Sequence, residues 1–165
     1  MNTTQRTTLL DDDLLAMMRR GVSVIVSSSG TDLTPSLMRA VGSEVSSDGG
    51  CITVFLSRPQ STRLLQDVAR SGRVAVVFSE PDSHRSVQVK SERARVREAN
   101  HEDVPGLQRY LTAMQGELAR VGFGPDFAAA MLAHRVEDLS AIEFTPDQAF
   151  DQTPGPKAGQ RLGPP

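Results

Sequence analysis

Five side chains able to hold an anion fall within residues 57–63: Ser57, Arg58, Ser61, Thr62 and Arg63. They belong to the stretch FLSRPQSTRLLQDVARSG, which opens with strand character at Phe55 and closes as a helix over about Ser61 to Ser71. Leu64, Leu65 and Val68 fall on one face of that helix at helical spacing, and Gly72 suits its end. A helix start already carries partial positive charge from unpaired amides, so Arg63 in the first turn opposes the dipole. A phosphate there reverses the sign, because it pairs with a guanidinium and accepts from hydroxyls and amides. The plain alternative for Ser61 is an N-cap that bonds a backbone amide one turn on.

Arg39, in PSLMRAVG, and Gln88, in SVQVK, are the other polar side chains on predicted strands that could face a cleft. Each has an ordinary alternative on a solvated sheet face. His84, His101 and His134 have no metal-ligand spacing, and the sequence contains no G-x-S-x-G, P-loop or G-x-G-x-x-G. Cys51, at the head of an apolar run, reads as a small core residue.

These residues need a scaffold. The 165 residues suit one domain over 1–150, followed by a Pro/Gly-rich tail over 151–165 that reads as loop or disordered. A net charge of −2 with interspersed signs argues against a nucleic-acid grip, and no apolar run could span a membrane. The single cysteine fits a reducing, cytoplasmic setting. The pattern predicts a helix at Leu9–Arg20 and a strand at Val22–Ser29. A second strand over Leu33–Val45 should pair with the first, with Pro35 at its beginning or on an edge. A turn at Ser47–Gly50 precedes a third strand, CITVFLS. Strands follow at Arg73–Glu80 and Arg85–Glu98, the latter with a parity shift that predicts a bend near Ser91. Residues 101–132 read as helical, with Pro125 starting a helix, and Leu139–Pro146 reads as the last strand. Strands and helices do not alternate regularly, so the expected architecture is α+β: a small antiparallel barrel with helices laid against it.

Three segments in this order, TPSLMRAV, ITVFLSRPQSTRLLQDVARSGRVAVVF and RSVQVKSERARV, resemble the pyridoxamine 5'-phosphate oxidase-like flavoproteins with the FMN-binding split-barrel fold. The resemblance covers Val22 to Val96, with Leu139–Phe144 as a closing strand. It implies an antiparallel split β-barrel, a homodimer with cofactor clefts at the interface, and oxidoreductase chemistry on a small-molecule substrate. It implies FMN contacts from Arg39, Ala40 and Val41, a cofactor lining from Phe55, Leu56 and Ser57, and a phosphate grip by Ser61, Thr62 and Arg63. Gln88 would bond the ring edge.

Three departures qualify the resemblance, the first being Ser91 where members commonly carry a glycine after the Gln88 strand. Thr62 stands where many members carry a second cation, and the chain has no Trp, so the pyridoxine-binding segment of the true oxidases is missing. The last two departures set a flavin-free, F420-binding or haem-binding dimer with a binding or stress-related role beside the enzyme reading. The tail from Asp151 is expected to fold over the partner's cleft.

Overall fold

The computed structural model describes residues 9–163. Helix α1 (Asp12–Arg19) is capped by Asp11, whose carboxylate accepts from the Leu14 amide at 2.8 Å. Its acids lie in the first turn and Arg19 in the last, the order the helix dipole favours. It buries Leu14, Leu15, Met17 and Met18, and so lids one end of the core.

Strands β1 (Ser23–Ser29) and β2 (Pro35–Arg39) form a hairpin, followed by β3 (Gly42–Val45) and β4 (Ile52–Ser57). Helix α2 (Thr62–Ser71) leads to β5 (Val74–Ser79), β6 (Ser86–Ser91) and β7 (Arg95–Glu98). Helices α3 (Val104–Ala119) and α4 (Pro125–Met131) precede β8 (Leu139–Phe144), β9 (Gln148–Asp151) and β10 (Arg161–Leu162). Two antiparallel sheets result: a six-stranded one ordered β10-β9-β6-β5-β1-β2 and a four-stranded one ordered β3-β4-β8-β7. The sheets do not close on each other, which makes the barrel a split one.

The expected single strand over Leu33–Val45 is in fact two. Ala40 donates to the Val24 carbonyl of β1, while Val41 donates to the Phe55 carbonyl of β4. Adjacent amides thus serve different sheets, and the chain crosses over between them. Pro35 opens the edge strand β2, where its missing N–H costs nothing. The bend near Ser91 is another crossover, with β6 in the large sheet and β7 in the small one. Gly72 pins it, because its carbonyl accepts from Ala94 at 2.8 Å.

The large sheet buries one face. Val24, Val26, Val76, Phe78, Val87 and Val89 alternate inward, and all are fully buried. The small sheet is covered on both. Ile52, Val54 and Leu56 join the main core, while Phe55 packs with Val41, Leu107, Leu139 and Ala141 in a second cluster. This explains the unbroken apolar run of β4.

Three other expectations need correction. Cys51 is exposed, because it lies on the turn just before β4 begins. Strand β8 is not the last: Gln148–Asp151 pairs with β6 as β9, extending the large sheet. The described part of the tail, 151–163, is not plain loop: Arg161–Leu162 returns along β9 as β10, with the Asp151 amide donating to the Gln160 carbonyl at 2.9 Å. Among the described residues, no helix is long and apolar enough to cross a membrane.

Candidate functional site

At the start of α2 the Ser61 side chain makes no capping bond. The residue is 3% exposed, and its Oγ has no hydrogen-bond partner among the described residues. A buried hydroxyl without a partner is costly, and the first amides of a helix have no intrahelical acceptor. The first turn also contains no acid. Together they leave neutral donors uncompensated at the positive end of a dipole, a setting that suits an anion.

The neighbouring side chains are already engaged. The Thr62 hydroxyl donates to the Arg58 carbonyl at 3.2 Å. Arg58 pairs with Glu98 at 3.0 Å and also donates to the Glu137 carbonyl. Arg63 lies between two carboxylates, Asp32 at 3.6 Å and Asp67 at 3.8 Å. Asp67 is buried and accepts from the Ser36 hydroxyl at 3.1 Å. Asp32 accepts from the Thr34 hydroxyl and amide at 2.8 and 3.0 Å. Those bonds, with Arg63 beside them, hold its carboxyl below the usual carboxylate range.

Arg39 and Gln88 lie elsewhere, on the outer face of the large sheet. The register places Arg39 beside Ile25, Ile25 beside Val77, Val77 beside Gln88, Gln88 beside Phe150 and Phe150 beside Arg161. Directly paired residues point to the same side, so these six form one row across six strands. Its middle is half-buried in the single chain, Leu37 next to it is 65% exposed, and Lys90 sits 4.9 Å above the Phe150 ring. The Arg39 guanidinium donates to the Ser23 hydroxyl at 2.6 Å.

The predicted site residues therefore separate into groups. Ser61, Thr62 and Arg63 stand together at α2. Arg39 and Gln88 share the sheet row. The side chains of Ala40, Phe55 and Leu56 are fully buried, Val41 is nearly so, and only Ser57 of the β4 trio is partly open. A groove of about 390 Å³ between α2 and β7 is lined by Arg58, Thr62, Leu65 and Glu98, among others. A second, of about 440 Å³, lies at the end of the outer sheet face against Ser27, Arg73 and Lys90. Neither joins Arg39 and Gln88 to Ser61.

Sequence reasoning missed Asp32 and Asp67 as partners of Arg63. The i,i+4 spacing of Arg63 and Asp67 was a readable signal, whereas Asp32 arrives through the fold. It also missed Phe150 and Arg161, whose place in the row needs β9 and β10. Away from both regions, Glu80, Asp82 and Glu117 bring carboxylate oxygens within 4.8 Å of one another. Arg20 pairs with Glu80 and Glu117, and Arg120 with Asp82 and Glu117, so the cluster is largely neutralised from within.

No protein-family model matches the chain, and no curated protein matches it in sequence. Solved structures do. A candidate pyridoxamine 5'-phosphate oxidase from Lactobacillus delbrueckii aligns with a TM-score of 0.55 at 15% identity, covering 88% of this chain and 97% of that one. An F420 reductase aligns with a TM-score of 0.55 at 15% identity, covering 85% and 98%. HupZ of Group A Streptococcus aligns with a TM-score of 0.53 at 12% identity, covering 91% and 99%. At such identities the likeness speaks for the backbone. What this chain has in common with them is the split-barrel fold of the pyridoxamine 5'-phosphate oxidase-like proteins.

Proposed function

We propose that this chain is a cytoplasmic flavoprotein that binds FMN through its phosphate at the start of α2 and acts as an oxidoreductase on a small molecule. The observation that carries the reading is the partnerless, buried Ser61 hydroxyl at an uncapped, acid-free helix start. It fits a phosphate, which accepts from that hydroxyl and from the first amides of α2. The fold-level likeness to a candidate pyridoxamine 5'-phosphate oxidase and to an F420 reductase supports the cofactor class. A bound flavin supplies the redox chemistry; the protein supplies position, polarity and substrate access.

In this reading Ser61 and the α2 amides hold the phosphate, Arg63 contributes charge, and Gln88 offers its amide to the ring edge. Arg39 lies three strands from Gln88, roughly 14 Å at about 4.8 Å per strand, the scale of an extended flavin mononucleotide. We further propose that a second copy covers the outer face of the large sheet. Half-buried Ile25, Val77 and Phe150, with exposed Leu37, give that face an apolar centre without a covering layer. The two groups of site residues would then meet across a homodimer interface, with the tail strand β10 at its margin.

The test is spectroscopic. Protein titrated with FMN should bind about one equivalent per chain, with quenched flavin fluorescence. Ser61→Ala with Arg63→Ala should weaken binding far more than it lowers the unfolding midpoint. Absence of binding would leave the flavin-free dimer as the better account. Engagement of Arg63 by two carboxylates is the observation that favours that second reading.

A further inference from the structure

Resting on the phosphate seat just described, we propose that Asp32 and Asp67 make the site selective for a singly charged phosphodiester over a doubly charged phosphomonoester. Arg63 is the cation of the first turn of α2, and both carboxylates reach it, at 3.6 and 3.8 Å. Neither depends on Arg63 for its place. Asp32 is tied into the β1–β2 turn by Thr34, and Asp67 is buried under β2 with Ser36 as its donor. The two approach the same point of that turn: a Cβ built on Gly30 would lie 3.0 Å from Asp32 Oδ1 and 3.2 Å from Asp67 Oδ1. The other cation of the loop, Arg58, is committed to Glu98 and the Glu137 carbonyl.

One guanidinium therefore faces two carboxylates, and these three side chains sum to −1. A phosphomonoester carries about −1.5 to −2 near neutral pH. A diester carries one negative charge at any working pH. The Ser61 hydroxyl is a neutral donor and serves both forms alike, and the helix start, worth about +0.5 charge, offsets only half of that sum. The monoester's second charge, however, meets an uncompensated carboxylate. Asp32 and Asp67 are thus specificity-determining residues that bind no ligand atom themselves.

The experiment compares three flavins on the intact protein: riboflavin, FMN, and the methyl ester of FMN, which differs from FMN by one methyl group and one charge. Wild-type protein should bind the methyl ester about two- to fivefold more tightly than FMN, the range expected for partly exposed charge pairs. Asp32→Asn, at a position whose side chain is 63% exposed, should tighten FMN more than the methyl ester and so erase much of the preference. Asp67→Asn should act in the same direction, and its thermal midpoint, measured alongside, reports whether the buried site still folds. FMN binding as tightly as its ester, or a preference untouched by Asp32→Asn, would overturn the selectivity while leaving the seat intact. Riboflavin binding as tightly as both phosphorylated forms would instead remove the seat, and the selectivity with it.

Discussion

Arg97 and Asp103 meet through two parallel hydrogen bonds, Nη1 to Oδ2 and Nη2 to Oδ1, each 2.8 Å long. The same guanidinium donates through Nε to Glu143 at 2.6 Å, and Asp103 also accepts from the Asn100 amide at 2.9 Å. One arginine on β7 thus fastens β8 and the turn leading into α3. Asp103 is buried, so its loss leaves a guanidinium with a vacant fork. Asp103→Asn should cost about 2 kcal/mol, the scale of a charge-assisted pair. Urea unfolding should show a lower midpoint with an unchanged slope.

Acid should act through the same group. Hydrogen bonding from Arg97, opposed by burial, holds the Asp103 carboxyl below its ordinary range; the Glu92 amide and Arg93 do the same for Asp147. A carboxyl more acidic in the folded state than in the unfolded one gives stability that is complete above its unfolded pKa, about 4, and is lost as pH falls through the folded value. Stability should therefore decline below about pH 4. Asp103→Asn should decline less steeply over that window. Parallel acid unfolding curves for the two proteins would contradict this assignment.

Tyr110 on α3 donates its buried hydroxyl to the Val22 carbonyl at 2.7 Å, across 88 positions of sequence. Burial raises its pKa, so the phenol stays protonated through the physiological range. Tyr110→Phe leaves that carbonyl without its partner and should cost about 1–2 kcal/mol. Flavin affinity should not change. A thermal melt and a cofactor titration on the same sample check both halves.

Gly72 ends α2 at φ +67°, and a Cβ there would lie 2.6 Å from the Glu92 carbonyl oxygen. The turn that moves the chain from the large sheet to the small one has no room for a side chain. Gly72→Ala should cost at least about 2 kcal/mol, from the left-handed backbone and the clash together. Gly116, inside α3 with nothing within 4 Å of its Cβ position, is the control. Gly116→Ala should be neutral or stabilising by up to about 1 kcal/mol.

Wherever one local signal decided the outcome, the elements were legible in the sequence. The charge order of α1, Gly72 at the end of α2, the apolar run of β5 and the alternation of β6 each rest on a few neighbouring residues. The crossover at Ala40–Val41 was not legible, because neither residue is a turn former and only the partners of the two amides, Val24 and Phe55, reveal the change of sheet. Strands β9 and β10 were not legible for a related reason: they are short, flanked by polar ends, and ordered only by pairing, β9 on β6 and β10 on β9. The acid-free start of α2 at Ser61 was visible as a dipole argument. The carboxylate that Asp32 brings to Arg63 was not, since Asp32 lies on another hairpin and reaches α2 only after the sheet forms.

The outer sheet row gives a test of assembly. Val77→Lys places a charge at its centre, between Ile25 and Gln88, without touching the buried face. If two copies meet there, the variant should elute as a monomer in size-exclusion chromatography and lose FMN affinity by tenfold or more (about 1.4 kcal/mol at 25 °C). Lost affinity in a protein whose elution volume does not move would place the flavin contacts within one chain.

The division of Ser61 and Gln88 between a helix start and an open sheet face has a consequence for how such a protein would behave in a cell. A flavin held by both groups would be retained only while two chains stay associated. Its occupancy would then follow expression level as well as flavin supply, and dilution alone would discharge it.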